Sequence, residues 1–341
     1  MDIREIILWK HQKNIKTLYY NNKKFVKRGE KMKKIKINAK SAPEMEQILA
    51  KVNVGFKNLE LQLVHEFVSE NEYRDVKKAI EEYGIDISVV HTPLIAVEGE
   101  KLLEETSLEH ILQDKYYEIF CDTCKFSQYI ADMKKHRIKI VIHNTLSSEE
   151  WRITNLIEEK IATKIKKVLD KYKDLDLVVE NSTCVGEKTF KSILGMEDVS
   201  FAVKELNKII GDRSKTLLDT CHMMINWEAW KRVTYNDLTD WDNAFYKSTT
   251  YEKLGLIHLN NMRDNGLNKE NHGTSFEKNL ESDLETLKQI MSAYEKFADC
   301  EITIEVREKD YKGIPTNLIK TKEALEYLGY KLDLGVFKKG I

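Results

Sequence analysis

The chain has 341 residues with 55 basic and 56 acidic side chains, a net charge of −1, which gives no global attraction to nucleic acid or to an anionic membrane. Hydrophobic residues make up 42% and no run of 18 apolar residues occurs, so a globular chain without a membrane-spanning helix is expected. Five scattered cysteines, and a start whose apolar stretch is too short for a secretory signal, read as reduced thiols in a cytoplasmic protein.

Residues 1–31 are rich in Lys and Asn and carry no clean hydrophobic period. They read as an N-terminal extension, and residues 32–341 as one domain. Arg28-Gly29-Glu30 can be encoded by purine-rich codons that resemble a bacterial ribosome-binding site ahead of Met32. Translation starting at Met32 is one expectation, and a helix packed outside the domain is the other. Mass spectrometry of the natural protein for peptides from residues 1–31 separates them.

From Lys34 onward, short β-branched runs alternate with helical patterns, the signature of βαβ units and a parallel sheet. The expected strands are residues 34–38, 57–63, 85–91, 138–143, 175–180, 215–219, 254–259 and 301–306. Ser41-Ala42-Pro43-Glu44 reads as the start of the first helix, with Ser41 as N-cap. Residues 149–172, 284–297 and 318–328 have apolar residues at helical spacing. Residues 101–136 are longer than one crossover needs and read as two helices, or as a helix with an insertion. Cys121 and Cys124 have CxxC spacing there, but no second pair lies nearby. Eight strands, each followed by a helix, predict a single α/β (β/α)8 barrel.

Six consecutive strands end in polar residues of one kind: His91, His143, Glu180, Asp219, His258 and Glu305, with His222 three residues after Asp219. Histidine is 9 of 341 residues, so three at six strand ends is a concentration that calls for a cause. In a barrel these ends converge on one mouth. Bound divalent cations would neutralise the carboxylates and take up the imidazole lone pairs. A mixed His and carboxylate set suits Zn²⁺ first, with Mn²⁺ or Fe²⁺ as alternatives.

These residues resemble the xylose isomerase-like barrel superfamily, which includes endonuclease IV and many sugar isomerases and epimerases. The likeness spans residues 32–328 and rests on Gly55-Phe56-Lys57-Asn58-Leu59-Glu60-Leu61, Val179-Glu180-Asn181-Ser182, Leu218-Asp219-Thr220-Cys221-His222-Met223, Ile257-His258-Leu259-Asn260 and Ile304-Glu305. Endonuclease IV holds its zinc ions with ligands in the order His, His, Glu, Asp, His, His, Asp, His, Glu. The resemblance maps that order onto His91, His143, Glu180, Asp219, His222, His258, Glu270, His272 and Glu305. Glu270 stands where the family has Asp, and Asn261 also stands where the family favours Asp. The sugar isomerases use a smaller set on one metal, here Glu180, Asp219, His258 and Glu305.

Three functions follow from the resemblance. A nuclease would hydrolyse a phosphodiester at an abasic site in DNA, with Glu180 bridging two ions. Its phosphate contacts would come from Arg74, Arg263, Lys269 and Arg307. An isomerase or epimerase would move a proton between adjacent sugar carbons with Glu180 and Glu305, with His222 on a substrate hydroxyl. In either case Asn260, Arg263 and Arg307 are the expected substrate contacts, and Glu180, Glu305 and His222 the expected catalytic residues. The third function is binding of metal or sugar without turnover.

Overall fold

Period-two alternation within each strand sorts its side chains into two shells. A computed structural model describes residues 34–95, 104–146, 152, 160–183, 195–234, 239–249, 253–264 and 272–336. Its strands are β1 Lys34–Ser41, β2 Asn58–Gln62, β3 Asp86–His91, β4 Ile138–Asn144, β5 Leu175–Asn181, β6 Ser214–Asp219, β7 Leu254–Leu259 and β8 Glu301–Ile304. Each pairs in parallel with the next. β8 also pairs with β1, Ile37 opposite Ile302 and Ala39 opposite Ile304, which closes the sheet. This is the (β/α)8 barrel read from the sequence, within a compact unit Ile35–Ile341.

The helices among the described residues are α1 Met45–Asn53, α2 Glu70–Tyr83, α3 Asp114–Lys134, α4 Ala162–Lys171, α5 Met196–Ile210, α6 Thr220–Thr234, α7 Trp241–Ser248, α8 Glu281–Phe297 and α9 Thr316–Tyr327. α2 shows the local logic. Ser69 and Glu72 form a reciprocal capping box at its start, and Gly84 ends it at φ 63°, in the left-handed region that glycine tolerates. None of these helices is long and apolar enough to cross a membrane.

Several expected boundaries move. The β1 ladder continues to Ser41, which pairs with Leu61, so Ser41 belongs to the strand and Glu44 takes the N-cap position of α1. β8 stops at Ile304, and Glu305 follows it with its N–H donated to the Leu259 carbonyl. The long 101–136 stretch contains the second strand of a hairpin, Leu94–Ile95 with Glu104–Glu105, then a short 3₁₀ turn and the 21-residue α3. Both CxxC thiols lie within α3, where burial pushes their pKa values up. The short α7 has no counterpart in the sequence reading. Residues 1–31 and most of 147–159 lie outside the described residues.

The outward shell, including Ile35, Ile37, Leu59, Leu61, Ile138, Ile140 and Ile142, packs into the main core cluster with the helices. The inward shell is divided. One residue from each of β3 to β7 (Val89, Val141, Val178, Leu217, Leu256) forms a separate apolar band inside the barrel. Burying such a side chain is worth about 1.5–3 kcal/mol. The wall from β8 through β1 to β2 is instead polar. Asn38 Nδ2 donates to Glu301 at 3.0 Å and lies 3.5 Å from Thr303 Oγ1. Thr303 Oγ1 in turn donates to Glu60 Oε2 at 2.8 Å. At the closed end, Glu301 ion-pairs with Lys139 and with Lys36 and accepts from Ser88. Although burial works against its charge, Lys139 and Lys36 lower its pKa to about 2.

Candidate metal centre

The apolar band sets the height of the site. Two residues beyond each band member, on the same face of the same strand, lie His91, His143, Glu180, Asp219 and His258. Register brings them level: His143 is opposite Glu180, and Asp219 is opposite His258. All five residues are at most 3% exposed.

Two donor groups form. His91 Nε2 lies 3.2 Å and His143 Nε2 3.4 Å from Glu180 Oε2. The other oxygen of the same carboxylate, Oε1, lies 3.2 Å from His258 Nδ1. Asp219 Oδ2 and Glu305 Oε2 complete the second group, at 3.9 and 2.5 Å from that nitrogen. The ligand atoms within each group all lie within 4.8 Å of one another. Zinc bonds of 2.0–2.1 Å in a tetrahedron put donors about 3.3 Å apart, close to these separations.

The hydrogen bonding fixes which atoms are donors. His91 Nδ1–H donates to the Thr92 carbonyl at 2.8 Å, and His222 Nδ1–H to the Asn181 carbonyl at 2.6 Å. His258 Nε2–H donates to Glu60 Oε2 at 3.0 Å. Each ring therefore carries its lone pair on the opposite nitrogen, the arrangement that orients an imidazole toward a metal. Three carboxylate oxygens surround His258 Nδ1, and Glu305 Oε2 is buried without a hydrogen-bond partner. Glu60, Glu180 and Glu305 raise the His258 pKa well above its ordinary value although burial opposes this, so the site draws in positive charge, which a divalent cation would supply in place of a proton. The donor set thus fits divalent metal, which His91, His143 and Glu180 would hold on one side and Glu180, Asp219, His258 and Glu305 on the other.

The Asp-Thr-Cys-His segment owes its spacing to a helix cap. Asp219 Oδ1 accepts the His222 N–H at 2.7 Å, which caps α6 and sets His222 in its first turn. Asn260 Nδ2 donates to Asp219 Oδ2 at 2.8 Å, and Asn181 Oδ1 accepts the Asp219 N–H at 2.7 Å. Burial, with Glu180 and Glu305 close by, pushes Asp219 up to about 6 against the pull of His222. Glu180 is held well below the usual carboxylate range: burial opposes its charge, but His258 and His143 outweigh it.

Two site residues escaped the sequence reading. Glu60, fully buried, carries the hydrogen bond that orients His258. Lys40 Nζ lies 2.5 Å from Glu305 Oε1 and 3.6 Å from Glu60 Oε1. The alternation of β1 could have found Lys40 had the strand been carried past Asn38.

The expected substrate contacts fare differently. Asn260 is 1% exposed and serves Asp219, with its Oδ1 accepting from Thr220 and from the Cys221 N–H. Arg263 forms a two-pronged pair with Asp283 and donates to the Ser275 carbonyl, so its guanidinium holds α8 to the hairpin after β7. Arg307 is exposed and donates its N–H to the Gly273 carbonyl. Arg74 is 70% exposed beside Asp75. Glu270 and Lys269 lie outside the described residues. His272 begins the strand His272–Thr274, whose Gly273 N–H reaches Cys221 Sγ at 3.4 Å.

The sequence matches the family described as xylose isomerase-like TIM barrel over residues 50–329. No curated protein matches it. Among solved structures, it is similar to a xylose isomerase domain protein from Planctomyces limnophilus (10% identity, 87% of this chain and 96% of the other, TM-score 0.53). It is also similar to AsfvAP:AG (12% identity, 86% and 99%, TM-score 0.50). A further likeness is to a sugar phosphate isomerase/epimerase from Parabacteroides distasonis (12%, 88% and 96%, TM-score 0.44). At these identities the structural likenesses show the fold alone. With the family match covering most of the barrel, the chain belongs to the xylose isomerase-like TIM barrel family.

Proposed function

We propose that this chain is a metal-dependent phosphodiester hydrolase of the endonuclease IV type, with abasic-site DNA as its substrate class. The observation that supports this reading is the placement of Glu180. Its Oε2 faces His91 and His143, while its Oε1 faces His258, so one carboxylate joins two separate donor groups. A single-ion site needs no such bridge.

Two bound divalent cations, Zn²⁺ first and Mn²⁺ next, would supply charge to the attacking and leaving oxygens at phosphorus and a nucleophile at neutral pH. The chain's own part is to hold and orient. Glu180 fixes the spacing of the two groups. Asn260 and Asn181 keep Asp219 in place, and Glu60 keeps His258 turned. His222, with its side chain 11% exposed, stands nearer to solvent than the other three site histidines, which supports a role for it on a substrate oxygen. A flipped-out sugar phosphate would enter from the same mouth. Arg74, Lys269 and Arg307 remain the candidates for backbone phosphates.

One observation favours a second reading, a sugar isomerase or epimerase. Glu180, Asp219, His258 and Glu305 form a complete four-donor group without His91 or His143. The test is to count metals per chain and to assay the loaded protein on an abasic-site duplex and on a panel of ketoses, each with His143→Ala alongside. Two or more ions with strand cleavage, both reduced in the variant, support the hydrolase. One ion with proton exchange at a sugar carbon, unchanged in the variant, overturns it.

A further inference from the structure

β1 carries Lys40 inward to the level of the metal groups, on the polar side of the barrel. Its side chain is 12% exposed. Its Nζ lies 2.5 Å from Glu305 Oε1, while Glu305 Oε2 lies 2.5 Å from His258 Nδ1. The two oxygens of one carboxylate therefore face different groups. A glutamate at a strand end, released from such a contact, could turn both oxygens onto one cation. Glu60 Oε1, 3.6 Å away, holds the ammonium from the other side.

We propose that Lys40 is a positioning residue of the metal centre: its ammonium holds Oε1 of Glu305, so that this glutamate meets a bound divalent cation through Oε2 alone. The inference rests on the metal-centre reading above. It has two consequences. The coordination number at the Asp219 and His258 group stays low, which leaves a position for substrate. The same contact also removes Glu305 from proton transfer, because both of its oxygens are engaged.

The test uses Co²⁺ as probe, since its visible bands are intense at four-coordinate sites and weak at six-coordinate ones. Metal-stripped wild type and Lys40→Met are titrated with Co²⁺. With the ammonium gone, its repulsion of the cation disappears and Glu305 is released to chelate. Lys40→Met is expected to bind Co²⁺ about tenfold more tightly, with weaker bands per ion. A role limited to supporting the fold would instead loosen the site and weaken binding. Weaker binding, or a spectrum that superimposes on wild type, overturns the proposal. If wild type itself takes up no Co²⁺, the metal-centre reading falls, and this inference falls with it. Should Lys40→Met fail to fold, Glu305→Gln is compared with Lys40→Met/Glu305→Gln, in which the Glu305 charge is removed together with the ammonium that faces it, while Glu60 keeps its hydrogen bond from His258. Superimposable Co²⁺ spectra of those two support action through Glu305, and any difference overturns it.

Discussion

The carboxylate of Asp219 accepts the backbone N–H of His222 through Oδ1 and the side-chain amide of Asn260 through Oδ2, so one acid caps a helix and faces a metal group at once. The charge and the cap are separable by mutation, because asparagine caps a helix as well as aspartate does but carries no charge; its Nδ2 would face Asn260 Nδ2, donor against donor, at a cost of about 1–3 kcal/mol.

Asp219→Asn is therefore expected to weaken metal binding at least tenfold without unfolding the chain. The pH dependence follows from the sign of the shift. Asp219 is raised from 3.8 to about 6 by burial and by Glu180 and Glu305. A raised acid favours the folded state below its ordinary value, and that contribution is lost as pH rises through the folded value. Metal-free wild type should lose stability relative to Asp219→Asn between pH 4 and pH 7. Urea unfolding at the two pH values checks this. A stability difference between the two proteins that stays constant from pH 4 to pH 7 would refute the assignment of the raised acid to Asp219.

Glu180 is common to both donor groups, whereas His143 belongs to one. His143→Ala should retain one ion per chain, and Glu180→Ala should retain none after dialysis against dilute chelator. Elemental analysis of the two variants reads this directly. Equal metal content in His143→Ala and wild type rules out the two-group arrangement.

Glu60→Gln keeps an oxygen for His258 Nε2–H but removes the charge that makes the ring a better donor. Loss of such an outer partner typically costs 10–100-fold in metal affinity. The same range is expected here, with the number of ions per chain unchanged. A loss of less than about twofold would mean that Thr303 and the surrounding packing orient the ring without Glu60.

Glu301, at the closed end, has its pKa lowered from 4.5 to about 2. A depressed acid contributes stability above its ordinary value and loses it as pH falls through the folded one. The span of the shift corresponds to about 3 kcal/mol. Glu301→Gln should cost on that order at pH 7, plus the strain of leaving Lys139 and Lys36 facing each other. The gap between variant and wild type should narrow between pH 4.5 and pH 2. Chemical denaturation across that range measures it, and a gap that stays constant would refute the assignment.

The eight strands were legible because buried parallel strands read as near-continuous apolar runs, such as Ile138 to Ile142, and the members of the two donor groups stood out because each ends or directly follows such a run. Lys40 and Glu60 were not, since alternating polar residues in a short strand look solvated until the barrel closes around them. The contacts of Asn260 and Arg263 with carboxylates were not legible either. Their partners, Asp219 and Asp283, come from other segments that only the folded chain brings near. β1 was drawn too short because the ladder to β2, not the apolar run, decides where it ends.

The polar wall of the barrel gives the molecule a remote handle on its candidate metal centre. Glu301, Asn38, Thr303, Glu60 and His258 form a continuous line of polar contacts from the closed end to the mouth. The apolar band on the opposite wall offers no such conduit. A change of charge at Lys36, far from any bound substrate, is expected to alter the basicity of the His258 ring, visible as a displaced imidazole resonance by NMR. A centre wired in this way could be tuned without altering a single residue at the mouth.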